Sequence, residues 1–203
     1  MRIKMRHFIL VLTGSLMISG LAACVGINKT KLNMAVYDFG LSVSNENNQQ
    51  ITSKLLFEEP IAAESLNHNK IRYRLNYQNP SRVFFYTESR WAATPPELLS
   101  SKLTNLAHIA NTTKNCSLKL KIEVFDHVFQ SATASEGIVQ LSAQLVEKKS
   151  KKIILTQLIT ESAPSSTPNA QGGAAALQMA SENALKKAIN WGNTAAESNL
   201  LCQ

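Results

Sequence analysis

The sequence predicts an α+β fold: a single two-layer domain in which a mixed β-sheet carries two main helices on one face. Three observations carry this. Residues 118 to 159 hold three strand patterns in succession. A capped amphipathic helix begins at Thr94. An alanine-rich helix closes the chain.

The amino-terminal segment is not part of that domain. Arg2, Lys4 and Arg6 form a basic head, Phe8 to Leu21 an apolar run, and Leu21-Ala22-Ala23-Cys24 sets small residues before a cysteine. These are the three regions of a secretory signal. The apolar run, about 14 residues, is short of the roughly 20 that span a bilayer as a helix. The LAAC ending resembles the bacterial lipobox. It implies removal of residues 1–23, a lipid on the Cys24 thiol and acylation of the new amino terminus. An ordinary cleaved signal with an incidental cysteine is the other reading.

Residues 24–33 then read as a lipidated tether, and residues 34–203 as the folded domain. Met34 to Gly40 is a strand-like run ending in glycine. Residues 44–50, SNENNQQ, are a polar loop, and Ile51 to Phe57 reads as a strand closed by Glu58, Glu59 and Pro60. Ile71, Tyr73 and Leu75 alternate with Arg72 and Arg74, so the two sets face opposite ways. The turn Asn79-Pro80-Ser81 returns the chain into Val83 to Tyr86, making a hairpin. Thr94, Pro95 and Glu97 form a helix start. Leu99, Leu103, Leu106 and Ala110 follow at helical spacing, which predicts a helix to about Ala110.

Leu118 to Val124 and Val139 to Leu145 alternate cleanly, and Ile153 to Ile159 is more continuously apolar. Lys148, Lys149, Lys151 and Lys152 crowd the tip between the last two. That tip suits either anionic headgroups or a partner, or it is a solvated turn that keeps an edge hairpin apart from others. Residues 163–173, APSSTPNAQGG, read as a loop. The closing helix is expected from about Ala174 to Trp191, with Leu177, Ala180, Ala184, Ala188 and Trp191 inward. Small residues there would let it lie close to the sheet.

Composition narrows the function. The apolar share of 44% fits a globular chain. The net charge is +7, but the expected signal holds three basic residues and no acidic one, so the mature chain carries +4. With no aromatics interleaved among the basic residues, nucleic acid is not an expected partner. His68, His108 and His127 are scattered without metal-ligand spacing, and no cofactor is expected beyond the lipid. Glu58 and Glu59 would point apart on a strand. Asp126 and His127 read as a strand end, since no nucleophile accompanies them. An enzyme is therefore not expected. With Cys24 assigned to the lipid, Cys116 and Cys202 remain as an even pair in an oxidising compartment. They either form a disulfide or stay as two free thiols too far apart to meet.

The segment from Tyr86 through Trp91-Ala92, Pro95 and Leu99 resembles the centre of the auxiliary lipoprotein component of ABC-type transport systems. That family includes the outer-membrane lipoprotein of the paraquat-inducible system. Tyr37-Asp38-Phe39-Gly40 matches its Tyr-x-x-Gly run, Ile71 to Arg74 its aromatic strand around Tyr73, and Ala174 to Trp191 its closing helix. The resemblance implies a membrane-anchored adaptor without catalysis, sited at the periplasmic face of the outer membrane. The implied partner is a mammalian-cell-entry-type lipid-transport protein with its permease and ATPase, and homo-oligomers are implied as well. The implied cargo is lipids or lipophilic compounds. Val25 after Cys24 supplies no inner-membrane retention signal, in keeping with the outer membrane of a Gram-negative cell. Trp91 has a structural reading beside a binding one: it can seal the hairpin against the helix start, with its N–H at the rim. The alternative function is a lipoprotein that binds lipid or a small ligand by itself. That would need an apolar cavity between sheet and helices.

Overall fold

The computed structural model describes residues 33–40, 50–110 and 115–203. The expected signal, Cys24 and all but the last residue of the tether lie outside the described residues, as does most of the 44–50 loop. The chain from Met34 onward forms one compact unit.

In chain order the strands are β1 (Ala35–Tyr37), β2 (Ile51–Ser53), β3 (Leu56–Phe57), β4 (Ile61–Ala62), β5 (Lys70–Leu75) and β6 (Phe84–Trp91). Helix α1 (Pro95–Leu106) and β7 (Ala107–Ile109) follow. Then come β8 (Cys116–Phe129), β9 (Ser135–Glu147), β10 (Ile153–Pro164) and helix α2 (Ala170–Ser198). Short 3-10 turns occupy Glu64–Leu66 and Leu200–Cys202.

The main sheet runs β1-β6-β5-β8-β9-β10, and β8 organises it. Along one edge β8 pairs antiparallel with β9 over nearly its whole length. Along the other, three short strands dock in parallel one after another. β3 meets Ser117 and Leu118, β4 meets Lys121 and Ile122, and β5 meets His127 to Phe129. The sheet is mixed, as expected. Leu118, Leu120 and Ile122 of β8 and Val139, Leu141, Ala143 and Leu145 of β9 are fully buried. They form one core with Leu99 and Leu103 of α1 and Leu177, Ala180, Ala184 and Ala188 of α2. Lys102 of α1 lies 2.8 Å from Glu182 of α2, tying the helices together.

Closeness is the reason α2 is built from small residues. A Cβ on Gly137 of β9 would sit 2.4 Å from the Leu177 amide nitrogen, so the helix backbone rests on the sheet backbone there. The alanine face continues this contact along the helix.

Several boundaries differ from the sequence reading. Ile51 to Phe57 is not one strand. Ser53 turns inward and its hydroxyl receives the Leu55 N–H at 3.1 Å, so β2 and β3 separate. The first helix stops at Leu106, short of Ala110. Ala107 to Ile109 is extended and pairs in parallel with β2, while Gln50 Nε2 donates to the Asn105 carbonyl at the helix end. The start of that helix is as read: the Glu97 carboxylate accepts from the Thr94 amide and hydroxyl, both at 2.8 Å. Those bonds, the amide first, hold its pKa below the ordinary value.

The 163–173 loop shrinks to residues 165–169. β10 runs on to Pro164, and α2 begins at Ala170 with Asn169 as its cap, accepting the Gly172 N–H at 3.0 Å. Gly172 and Gly173 read as loop residues by composition, yet they are helical. A Cβ at Gly173 would lie 2.3 Å from His127 Nδ1, so the glycine is a space requirement. The helix also runs past Trp191 and Gly192 to Ser198, because Gly192 packs over Leu118 and Leu55. Residues 193–198, beyond the expected end of the helix, are therefore helical too.

Candidate functional site

The family-like residues assemble into a layer between β1, β6 and the start of α1. Tyr37 ends β1 and its carbonyl accepts the Ala92 N–H at 2.7 Å. Gly40 takes the left-handed conformation at φ 69°, which favours glycine. Its N–H donates to Asp38 Oδ1 at 2.8 Å. This turn drives Phe39 inward, and Gln178 of α2 donates to the Phe39 carbonyl at 2.6 Å. Trp91 is the last residue of β6, which runs past the strand end expected at Tyr86. Its ring meets Phe39 edge-on at 5.9 Å and Phe125 at 5.7 Å. The indole Nε1 is buried with no hydrogen-bond partner among the described residues, not placed at a rim. Pro95, also buried, opens α1.

Tyr73 and Tyr86 belong to a second aromatic group. Tyr73 stacks on Phe84 at 5.1 Å and lies 4.6 Å from Tyr86 and 6.0 Å from Phe129. The Tyr86 hydroxyl is hydrogen-bonded to His127 Nδ1 at 2.9 Å. His127 is fully buried, and burial pushes its pKa down to about 4, so the ring is neutral. Burial, with Tyr73 adding to it, raises the Tyr86 pKa.

Asp126, one residue earlier, faces the other layer. Arg74 Nε lies 2.5 Å from Oδ2 and Arg72 Nε 2.8 Å from Oδ1, although the carboxylate is only 1% exposed. Arg72 also donates to the Ser65 carbonyl at 3.1 Å, and Arg74 to the Pro80 carbonyl at 3.0 Å. One buried carboxylate thereby pins two surface turns to the sheet. Reading Asp126 and His127 as a strand end misses this. Both lie within β8 and both are sealed. The missed signal was the adjacency itself: two polar residues inside an apolar strand need a partner on each face.

Cys116 opens β8, Cys202 ends the final 3-10 turn, and a disulfide joins them with Cα atoms 5.0 Å apart. Beside it lies the lysine tip. The Lys148 N–H donates to the Asn115 carbonyl at 2.8 Å, and Lys151 adopts φ 59° to close the turn. Lys149, Lys151 and Lys152 are exposed. Cys24 is outside the described residues.

A groove of about 200 Å³, not anticipated from sequence, lies between residues 57–60 and helix α1. It is lined by Phe57, Glu58 and Leu103 among others, and Ser117 donates to Glu58 at 2.7 Å within its wall. It falls below the range of about 300–1,000 Å³ usual for small-molecule sites. Among the described residues, no group of three or more His, Cys, Asp or Glu side chains is placed to hold a metal ion. None of the helices among them is long and apolar enough to cross a membrane.

The sequence matches no family model and no curated protein. Solved structures share its fold. The chain is similar to protein XCC0632 from Xanthomonas campestris, described under family model DUF330, with a TM-score of 0.66 and 19% identity. That match covers 80% of this chain and 97% of the other. It is also similar to an uncharacterized protein at a TM-score of 0.53 and 10% identity, covering 80% and 99%. A candidate lipoprotein from Caulobacter crescentus CB15 aligns in part, over 49% and 78%, with a TM-score of 0.35 and 19% identity. At these identities the first two likenesses are likenesses of fold.

Proposed function

We propose that this chain is a lipid-anchored adaptor. In this reading it is the auxiliary lipoprotein of an ABC and mammalian-cell-entry-type system that moves lipids or lipophilic compounds between inner and outer membranes. The lipobox-like ending at Cys24 supports the anchor, and the resemblance of Tyr86 to Leu99 to the auxiliary lipoproteins supports the role. The observation that carries the choice of adaptor over a self-contained carrier is the contact of α2 with the sheet. A lipid-binding module would keep its cavity between those layers. Here the helix backbone lies against Gly137, and Ala180, Ala184 and Ala188 of α2 are fully buried in the core shared with the sheet. The groove beside α1 is too small for an acyl chain of membrane length. Cargo would then pass along a path completed by docking on another protein.

The test is gentle purification of the lipidated protein, with intact-mass spectrometry and cross-linking in cells. The adaptor reading expects no lipid held beyond the covalent anchor, and a cross-link to a mammalian-cell-entry-type protein. Stoichiometric lipid inside an isolated monomer, with no such partner, would reverse it.

A further inference from the structure

The carboxyl end shows an arrangement that core packing does not require. Leu200 is 83% exposed and Leu201 55%, although the turn that carries them is firmly held. The Asn199 side chain accepts the Leu201 N–H at 3.0 Å. The disulfide fixes Cys202 to the start of β8. Asn115 donates its N–H to the Cys202 carbonyl at 3.1 Å and its side-chain amide to the Gln203 carbonyl at 2.5 Å. The turn is held by these bonds, and it still presents two leucines to water.

The same Asn115 accepts the Lys148 N–H, so the leucine turn and the lysine tip are joined through one residue. Lys149, Lys151 and Lys152 of that tip are exposed, and the strand leaving it begins with Ile153, 48% exposed, and Leu155, 42% exposed. Glu147, hydrogen-bonded to the Ser150 hydroxyl, keeps its charge, and Glu197 pairs with Lys54 at 3.4 Å, so the three exposed lysines outnumber Glu147 among the described side chains here. The surface is therefore basic and apolar together.

We infer that this end of the domain is a second membrane contact, separate from the lipid anchor, that docks on an anionic phospholipid surface. The lysines meet the phosphates, and Leu200 and Leu201 enter the boundary between headgroups and acyl chains. Charge complementarity selects this occupant. Lysine is depleted from protein–protein interfaces, whereas clustered lysines beside exposed leucines are the pattern of an interfacial membrane contact. Guarding an edge hairpin accounts for the lysines but leaves the leucines unexplained. This contact does not depend on the adaptor reading, since an isolated ligand-binding lipoprotein would carry the same surface.

The experiment uses the mature chain with Cys24→Ala, so that no acyl group contributes. It is sedimented with vesicles of phosphatidylcholine alone or mixed with phosphatidylglycerol. Binding is expected only with phosphatidylglycerol, weakening steeply with salt. The triple variant Lys149→Gln, Lys151→Gln, Lys152→Gln should lower partitioning by about fivefold for each lysine removed. The double variant Leu200→Ser, Leu201→Ser keeps the charge and should still lower it severalfold. Unchanged melting midpoints would show that both variants remain folded. Equal binding to the two vesicle types, or binding that survives the lysine substitutions, overturns the inference. Binding that survives the leucine substitutions also overturns it, by reducing the contact to general electrostatics. Absence from both vesicles overturns it in favour of a protein-facing surface.

Discussion

Asp126 and His127 are adjacent in the chain and serve opposite layers of the fold. Removing the Asp126 carboxylate would leave two guanidinium groups against the sheet without a counter-charge. Asp126→Ala should therefore lower stability by about 3 kcal/mol, read by urea unfolding at neutral pH. His127 makes stability depend on pH. Its ordinary pKa is 6.5 and its folded value about 4, so the folded state binds its proton more weakly than the unfolded state does. Its contribution is whole above pH 6.5 and is lost as pH falls towards 4. Between pH 7.5 and 5 this amounts to about 1–2 kcal/mol. His127→Phe should flatten that slope relative to wild type, whatever it costs at pH 7.5. An equal slope in the variant would mean that other groups carry the dependence. Gly173 supports the same ring from α2, and Gly173→Ala should destabilise by about 1–3 kcal/mol through overpacking, measured at pH 7.5. At this scale the sequence displayed the residues but not their partners. Tyr86 is 41 residues from His127, and Arg72 and Arg74 are 54 and 52 residues from Asp126. Only the fold brings them together.

Helix α2 is held by its cap, its small face and its final bond. Asn169→Ala removes the acceptor for the Gly172 N–H and should cost about 1 kcal/mol in thermal unfolding. Ala184→Leu places a large side chain where the helix touches the core and should cost about 1–3 kcal/mol, or shift the helix off the sheet. A melting midpoint within a degree of wild type would contradict the close-packed layer on which the adaptor reading rests. At the other end, the Cys116–Cys202 bond spans 86 residues, and a chain-entropy account gives about 2–4 kcal/mol after allowance for native strain. Cys202→Ser should lower the midpoint, and reductant should lower the wild type to match. Elements with strong periodicity, β8, β9 and the start of α1, were legible from sequence. The ends of α2 were not, because Gly172, Gly173 and Gly192 carry a turn-like composition while answering to contacts with His127, Thr167 and Leu118.

For the whole molecule, the anchor prediction is the simplest. Cys24→Ala should release the mature chain from carbonate-washed membranes, whereas the wild type stays. Retention of the variant under that wash would remove the lipid assignment, because the headgroup contact inferred at the lysine tip is salt-sensitive and would be stripped. What the sequence determined by itself was local: alternation for strands, helical spacing after a Thr-Pro-Pro-Glu start, a basic-then-apolar pattern ending at Cys24, and an even pair of cysteines beyond it. Each is a pattern within a few residues, set by backbone geometry and by which side chains avoid water. The tertiary structure decided what depends on distance in space. It lined three short strands in parallel along β8, turned Ala107 to Ile109 from helix into strand by offering β2 as a partner, and seated a glycine against His127. It also brought Lys148, Cys202 and Gln203 together at Asn115. Strand pairing and backbone contact satisfy hydrogen bonds and exclude water between segments far apart in the chain, and no local pattern encodes which segments those are.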